Sequence, residues 1–317
     1  MSQNIQNTQN LICKVGGMQP LAARKQLVGV LSNININFKT MKSIRNILII
    51  CATMCCFVSC KKEVDMTLVQ KTVFENADIR QIEIGEAWPV TLVADSLTFV
   101  EIEYSAYLDG NVKAKMTGNQ LEIGFTGRVH SVIGTTFRAT VHTTQLEKLE
   151  VNDAAKVSCI GDFVGQQLEI DLSDASLCSN LSFSGTQCDI NMDDASILTG
   201  FQFVGNTCKA DLSDASQYNG QIRVTELFDL ELSDASRFVN KGGVTETATV
   251  KLRSASLLNM VETEVKTMQV ELEAASEATI WANETLTGTL KSGSTLYYKG
   301  HPMTNVYCSE GSAMIPL

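Results

Sequence analysis

A six-residue phrase returns every 20 residues through the C-terminal half of the chain. Residues 171–176 read DLSDAS, and so do residues 211–216. Residues 231–236 read ELSDAS, 191–196 NMDDAS, 251–256 KLRSAS and 271–276 ELEAAS. A degenerate copy, EVNDAA, precedes them at 150–155, and another, TLKSGS, follows at 289–294. A period held this strictly marks a stack of equal structural units.

The columns of the repeat show which side chains face inward. Leu172, Met192, Leu212, Leu232, Leu252 and Leu272 form one apolar column. Two residues earlier stand Ile170, Ile190, Ala210, Leu230, Val250 and Val270. Two earlier again stand Leu168, Cys188, Cys208, Phe228, Ala248 and Met268. Apolar and polar residues alternate with period 2, the signature of a strand with one buried face. After the motif, Cys178, Leu198, Tyr218, Phe238, Leu258 and Ala278 form another mostly apolar column. Each unit therefore reads as a strand, a tight corner at Ala-Ser, a second short strand and a return. One such unit cannot close a core alone, but a stack of them can. The expected fold is all-β: a single-domain parallel β-helix, or β-solenoid, with coils of about 20 residues. Strands of successive coils would pair about 4.8 Å apart. The small Ala175, Ala195, Ala215, Ala235, Ala255 and Ala275 are expected to point inward at the cramped corner. A leucine-rich repeat has a similar period but needs an L-x-x-L-x-L-x-x-N pattern, which is absent.

Residues 69–150 are also β but less regular. Gln81–Ile84, Phe99–Tyr104, Leu121–Ile123 and Phe137–Val141 alternate, and Asp109-Gly110 and Gly118-Asn119 mark turns. No linker divides residues 69–317, so they read as one domain.

The N-terminal segment differs in charge. Residues 1–59 hold six basic residues and no Asp or Glu. The whole chain has 25 Lys and Arg against 35 Asp and Glu, which leaves residues 60–317 with 19 basic and 35 acidic residues, a balance of −16. So acidic a body repels phosphate backbones, and nucleic acid is excluded as a partner. Residues 41–60 read MKSIRNILIICATMCCFVSC: a short basic region, an apolar run from Ile47 to Val58, then Cys60. The run is too short to span a bilayer and suits a signal peptide. Phe57-Val58-Ser59-Cys60 resembles a bacterial lipobox, which implies that Cys60 is lipidated and becomes the mature N-terminus. Phe57 stands where Leu is usual. The expected organisation is a mis-assigned start or disordered extension over 1–40, a lipoprotein signal peptide over 41–59, a tether over 60–68 and the solenoid over 69–317.

The Ser-Asp-Ala-Ser coils, together with Leu146-Glu147-Lys148-Leu149-Glu150-Val151 and the closing Leu290–Gly300, resemble the GIN domain over about residues 70–305. That family is described as an auto-transporter adhesin head, common in lipoproteins of gut Bacteroidetes. Many of its members carry Ser-Gly-Ala-Ser where this chain has Ser-Asp-Ala-Ser. The resemblance implies an outer-membrane lipoprotein with a surface adhesion role, but brings no ligand with it. In such bacteria, charged residues after the lipid cysteine favour display on the cell surface. Lys61-Lys62-Glu63 matches that signal in part, so the periplasmic face stays open.

Asp174, Asp194, Asp214 and Asp234 share one column, with Asp153 just before it. Carboxylates about 5 Å apart repel by roughly 1 kcal/mol per neighbour in water. On the corner reading, Asp and Ser side chains accept hydrogen bonds from backbone N–H groups of the turn. Oxygen-only ligands also make the four aspartates weak candidates for Ca²⁺, although the G-G-x-G-x-D spacing of calcium-binding β-rolls is missing. Docking of a glycan or peptide along the ladder is a third reading. Cys188 and Cys208 share an inward column on adjacent coils, as small buried apolar residues or as a disulfide. Cys159, Cys178 and Cys308 are expected to be unpaired. Asp95-Ser96-Leu97 resembles the D-[ST]-[apolar] O-glycosylation sequon of exported Bacteroidetes proteins, which makes Ser96 an acceptor candidate.

No GxSxG, HExxH, GxGxxG or P-loop occurs. His130 and His142 receive no role. The functional expectation is a non-catalytic, lipid-anchored adhesion or surface-interaction module. It needs no cofactor, its ligand is a glycan or protein, and it meets the membrane only through its lipid. A polysaccharide-active β-helix enzyme and a passive envelope spacer are the alternatives. An enzyme would need one coil to differ chemically from the rest, and the acidic column is uniform.

Overall fold

The structure is a computed structural model that describes residues 64–130 and 132–317. Residues 64–317 form one compact unit. The signal segment and Cys60 lie outside the described residues. Among the described residues no helix is long and apolar enough to cross a membrane.

The unit is all-β, a single β-solenoid of about eight turns with 20-residue coils. Its only helical element among the described residues is a short 3₁₀ turn at Ala106–Leu108. Along the motif strip successive coils pair in parallel with zero slip, while register shifts fall outside it, as between Thr199 and Phe201 and between Met260 and Glu264. Leu168 faces Cys188, Cys188 faces Cys208, and Cys208 faces Phe228. Zero slip follows from the equal spacing of the motif, since a shift of one residue would turn each apolar column outward.

Three strips of strand make up the coils. The first carries the motif and runs through Gln167–Leu172, Gln187–Met192 and the C-terminal parts of Ile197–Leu212 and Gln217–Leu232. The second follows the corner and includes Leu177–Ser179 and Arg237–Asn240. The third is short, with Asp162–Val164 and Ser182–Ser184 as its first members. The apolar columns fill the space between them, and every residue of the four columns named above is buried. Burial of one leucine of this kind contributes about 1.5–3 kcal/mol. Aromatic rings stack along the core, Tyr218 on Phe238 with centroids 4.0 Å apart and Phe183 on Phe203 at 6.1 Å.

The N-terminal coils are not stacked in chain order. Gln81–Ile84 lies between Gln120–Phe125 and Lys148–Val151, and Pro89–Ala94 lies between Phe137–Thr143 and Lys156–Ile160. Antiparallel strands close this end. Val112–Thr117 pairs with Gln120–Phe125 through a two-residue turn at Gly118-Asn119, while Leu68–Val73 pairs with Phe99–Ser105. Behind them Trp88, Phe125 and Phe137 form an aromatic cluster with centroid separations of 5.2–5.4 Å. A non-repeating polar plug interrupts the regular part. Buried Asn240 accepts from the Ile222 N–H at 2.7 Å and donates to the Ile222 carbonyl at 3.1 Å and to Thr263 Oγ1 at 2.9 Å.

The corner corrects the expectation for the alanine column. Ala175, Ala195, Ala215, Ala235, Ala255 and Ala275 are exposed, and the inward residues are Ser176, Ser196, Ser216, Ser236, Ser256 and Ser276. Period-2 alternation carried through the corner from Leu172 reaches Ser176, whereas residue type had favoured the apolar alanine. Asp and Ala instead occupy two consecutive left-handed positions, with φ of 52° and 59° at Asp174 and Ala175 and 52° and 64° at Asp214 and Ala215. The Ser176 N–H closes the turn on the Ser173 carbonyl at 3.1 Å. Positive φ at both central residues and this closing bond define a type I′ turn, the tight turn whose twist matches the flanking strands.

Candidate functional site

The corners build one ridge of the solenoid. Each is tied to the next by its backbone: the Ala175 N–H donates to the Asp194 carbonyl, Ala195 to Asp214 and Ala215 to Asp234, at 2.8–2.9 Å. These bonds hold Asp174, Asp194, Asp214 and Asp234 in line with their carboxylates exposed. The side chains do not serve the turn as expected from sequence. None of the four aspartate carboxylates accepts a backbone N–H, and Ser173 Oγ, 3.4 Å from Asp174 Oδ2, is the one side-chain partner recorded for them. Of the inward serines, Ser256 and Ser276 each donate to the carbonyl three residues earlier at 2.7 Å, while the buried hydroxyls of Ser176 and Ser236 have no partner among the described residues. Aspartate is placed here by its tolerance of the left-handed conformation.

A second acidic ladder runs beside the first, one residue before the Leu column. Glu83 pairs in register with Glu150, then follow Asp171, Asn191, Asp211 and Glu231. Sequence reading passed over this column, although its signal stood in the motif itself as the D, N, D and E preceding L or M. Along the second ladder lies a shallow trough lined by Glu150, Asp171, Asn191, Asp211 and Glu231, together with Ser173, Asp193, Ser213 and Ser233 of the column just before the corner aspartates.

The electrostatics of the trough are those of crowded carboxylates. Asp193 is pushed above the usual carboxylate range, first by burial and then by repulsion from Asp194, Asp174 and Asp214. Glu150 is raised by burial and by Glu83. Lys148 relieves one end, with Nζ 2.7 Å from Asp171, 2.9 Å from Glu169 and 3.7 Å from Glu150. Its bonds to Asp171 and Glu169 raise its own pKa. Burial works to raise Asp171, but bonds from Lys148 and Asn191 outweigh it and the carboxyl is lowered. Farther along, Lys209 pairs with Asp211 at 2.9 Å and Arg253 with Glu231 at 2.8 Å.

Ca²⁺ takes 6–8 oxygens, and the aspartate column offers one carboxylate per coil. Among the described residues no group of three or more His, Cys, Asp or Glu side chains is arranged to hold a metal ion. The ladders can instead offer rows of carboxylates and hydroxyls at one-coil spacing to a long ligand with its own repeat or with cationic groups.

The remaining candidates stand apart from the trough. Ser96 is exposed in the turn before Phe99–Ser105, where Asp95 Oδ1 accepts its N–H at 2.6 Å. Asp95 also pairs with His142 Nδ1 at 2.9 Å, a bond that lowers its carboxyl pKa, and His142 stacks on Phe99 at 4.0 Å. Cys188 and Cys208 stand opposite each other, buried and free, and Cys159, Cys178 and Cys308 are free as well. Burial raises the Cys188 thiol, and contact with Cys178 followed by burial raises that of Cys159.

Comparison with known proteins yields one family and several solved structures of similar fold. Residues 78–302 match the family described as "Putative auto-transporter adhesin, head GIN domain". The chain resembles the crystal structure of a "putative adhesin" from Parabacteroides merdae, with 13% identity and a TM-score of 0.59, covering 79% of this chain and 96% of that one. A "putative adhesin" from Parabacteroides distasonis matches with 15% identity and a TM-score of 0.55, over 80% and 98% of the two chains. A "putative lipid binding protein" from the same species matches with 10% identity and a TM-score of 0.57, again over 80% and 98%. At such identities the likeness concerns the fold. No curated protein matches the sequence.

Proposed function

Because the chain belongs to the GIN-domain family of auto-transporter adhesin heads, we propose that it is a non-catalytic adhesion module held to the bacterial envelope through lipid on Cys60. Its ligand is an extended glycan or a protein segment received along the acidic trough. Residues 41–59 act as the export signal, residues 60–68 as the tether and residues 69–317 as the adhesive domain.

The observation that supports this reading is the repetition of the two ladders. Aspartate recurs at the corner on four successive regular coils, and a carboxylate or amide recurs beside it from Asp171 to Glu231. Rows of like groups at equal spacing suit a ligand that repeats, where many weak contacts add through effective concentration. Catalysis would instead use one coil that differs chemically from its neighbours, whereas the corner aspartate recurs unchanged on four successive coils. The basic and apolar residues before Cys60 support the reading further, because they suit a signal for export.

A glycan array combined with a protein pull-down, both using the full-length protein, tests it. Binding to a repeating glycan or a surface protein is expected. It should weaken when Asp211 and Glu231 are changed together to Ala. Turnover of any bound polysaccharide, or ligand capture indifferent to that double change, would overturn the assignment of the trough.

A further inference from the structure

Both acidic ladders fade toward the C-terminal end of the stack. In the strand ladder Glu231 is followed in register by Lys251, Glu271, Thr289 and Tyr307. The corner bonds run on from Asp234 to Ser254, Ala274 and Ser292. From Gly300 to Leu317 the sequence holds one acidic residue, Glu310, and no Lys or Arg. The same end keeps apolar side chains in water, with Met303 76% and Tyr307 67% exposed. Cys308 continues the buried column of Leu272 and Leu290 in register and is exposed all the same.

The strand at this end has an open edge. Met303–Cys308 pairs in parallel with Thr285–Leu290, and among the described residues no strand pairs with its other side. A free edge is a template for another strand. The edge strands at the N-terminal end are guarded against that use: Leu68–Val73 carries Lys71, and Val112–Thr117 carries Lys113 and Lys115. Met303–Cys308 contains no charged residue and no proline. Ala313–Pro316, also paired on one side, ends on a proline that has no N–H to give.

We propose that Met303–Cys308 joins a second copy of this chain, the two strands pairing antiparallel about a two-fold axis at Asn305. Charge favours a second copy over a foreign partner. Two bodies with a balance of −16 over residues 60–317 repel along their ladders and can meet where the carboxylates have gone. A partner chosen by charge would find nothing to recognise there. The strand is also complementary to itself. Thr304, Val306 and Cys308 stand on the inward positions set by Leu286 and Leu290, while Met303, Asn305 and Tyr307 stand on the outward ones. Opposed residues of an antiparallel pair share a face, so the axis must pass through a residue rather than between two. At Asn305 it sets Met303 against Tyr307 of the second copy and Thr304 against Val306. Both exposed apolar side chains are then covered and the core continues across the joint. An axis at Val306 would leave Met303 in water. The joint does not depend on what the trough binds, but it brings two troughs into one assembly, so a repeating ligand that reaches both is held by effective concentration.

The test uses the full-length protein in mild detergent. Sedimentation equilibrium should give twice the chain mass. The two-fold repeats each substitution, so Met303→Lys brings two ammonium groups to the joint and should weaken the dimer about tenfold or more. Tyr307→Lys should do the same. Both side chains are exposed, so the melting temperature of the separated chains should hold, which distinguishes loss of the joint from loss of the fold. Cross-linking decides independently of the lysine variants. In a Cys308→Ser background, which supplies the blank, Asn305→Cys should give a disulfide-linked dimer on mild oxidation, because residues opposed in an antiparallel pair lie about 4.5–5.5 Å apart, within reach of a disulfide. Ala114→Cys on the guarded N-terminal edge should give none. A single-chain mass at every concentration, a dimer indifferent to both lysine changes, cross-linking at 305 no greater than at 114, or linkage of the Asn305→Cys variant to a different protein would each overturn the proposal.

Discussion

Replacing Ala215 with glycine tests the corner, because the usual rule for glycine should reverse there. Ala215 is exposed and held at φ 64°, directly after Asp214 at φ 52°. An L-residue in the left-handed region costs roughly 1–2 kcal/mol, a penalty glycine escapes. Glycine loses more freedom on folding, which costs about 0.5–1 kcal/mol relative to alanine. The exposed methyl group contributes little burial, so the net effect should be a gain of about 0.5–1 kcal/mol. For a domain of this size that corresponds to a rise in Tm of about 1–4 °C. Ala210→Gly is the matched control. Ala210 is fully buried in a strand between Ile190 and Leu230, where glycine should cost about 1 kcal/mol. Urea titrations of the two variants beside wild type supply the comparison. Loss of stability in Ala215→Gly similar to that in Ala210→Gly would refute the type I′ assignment and return alanine to the interior.

Leu232→Ala should cost about 2–5 kcal/mol, while Ser233→Ala on the solvent side should cost under about 0.5, and equal losses in denaturant titration would mean the strand register is off by one. Asp214→Asn should be neutral or slightly stabilising, since asparagine also tolerates the left-handed region and relieves repulsion from Asp194 and Asp234. A wild-type Tm that climbs with millimolar Ca²⁺ and stops climbing in that variant would instead establish a metal site. Asp193 has a raised carboxyl pKa in the folded state, so it binds its proton more tightly folded than unfolded and stability falls as pH rises through that range. Asp193→Asn should therefore raise Tm at pH 7 and leave it unchanged near pH 3, where both forms are neutral, as thermal melts at the two pH values will show. Gly288→Ala should destabilise severely, because φ is 142° and an added Cβ would meet the Val270 carbonyl oxygen at 1.8 Å; a melt near wild type would show that the strand can yield there.

The fold was legible because its determinants are periodic. Leu172, Leu212 and Leu232 declare an inward column simply by recurring, and zero-slip pairing follows from equal spacing. The corner was read less well. Alanine and serine differ by one oxygen, so residue type suggested that the alanine was inside, whereas the closing bond of the turn decides the matter by turning Ser176 inward. The N-terminal stacking was hidden for a different reason. Nothing local in Gln81–Ile84 says that residues 120–125, rather than the chain next in sequence, will lie against it, because that partnership is set by the antiparallel strands that close the end. The acidic strand ladder was present in the motif but overshadowed by the aspartate beside it.

Zero-slip stacking also makes the molecule a ruler. Each coil advances the stack by about 4.8 Å, and its corner hydrogen bond to the next coil is the same whichever coil follows. Duplicating one 20-residue unit, for example residues 193–212, would insert a coil that finds a matching neighbour above and below. Deleting a unit would close the gap with equivalent contacts. Tandem duplication can therefore lengthen or shorten such a chain in steps of one coil while every existing interface is reused. The distance of any ligand-bearing residue from the closed N-terminal end becomes a matter of counting coils, and natural variation in coil number is variation in reach.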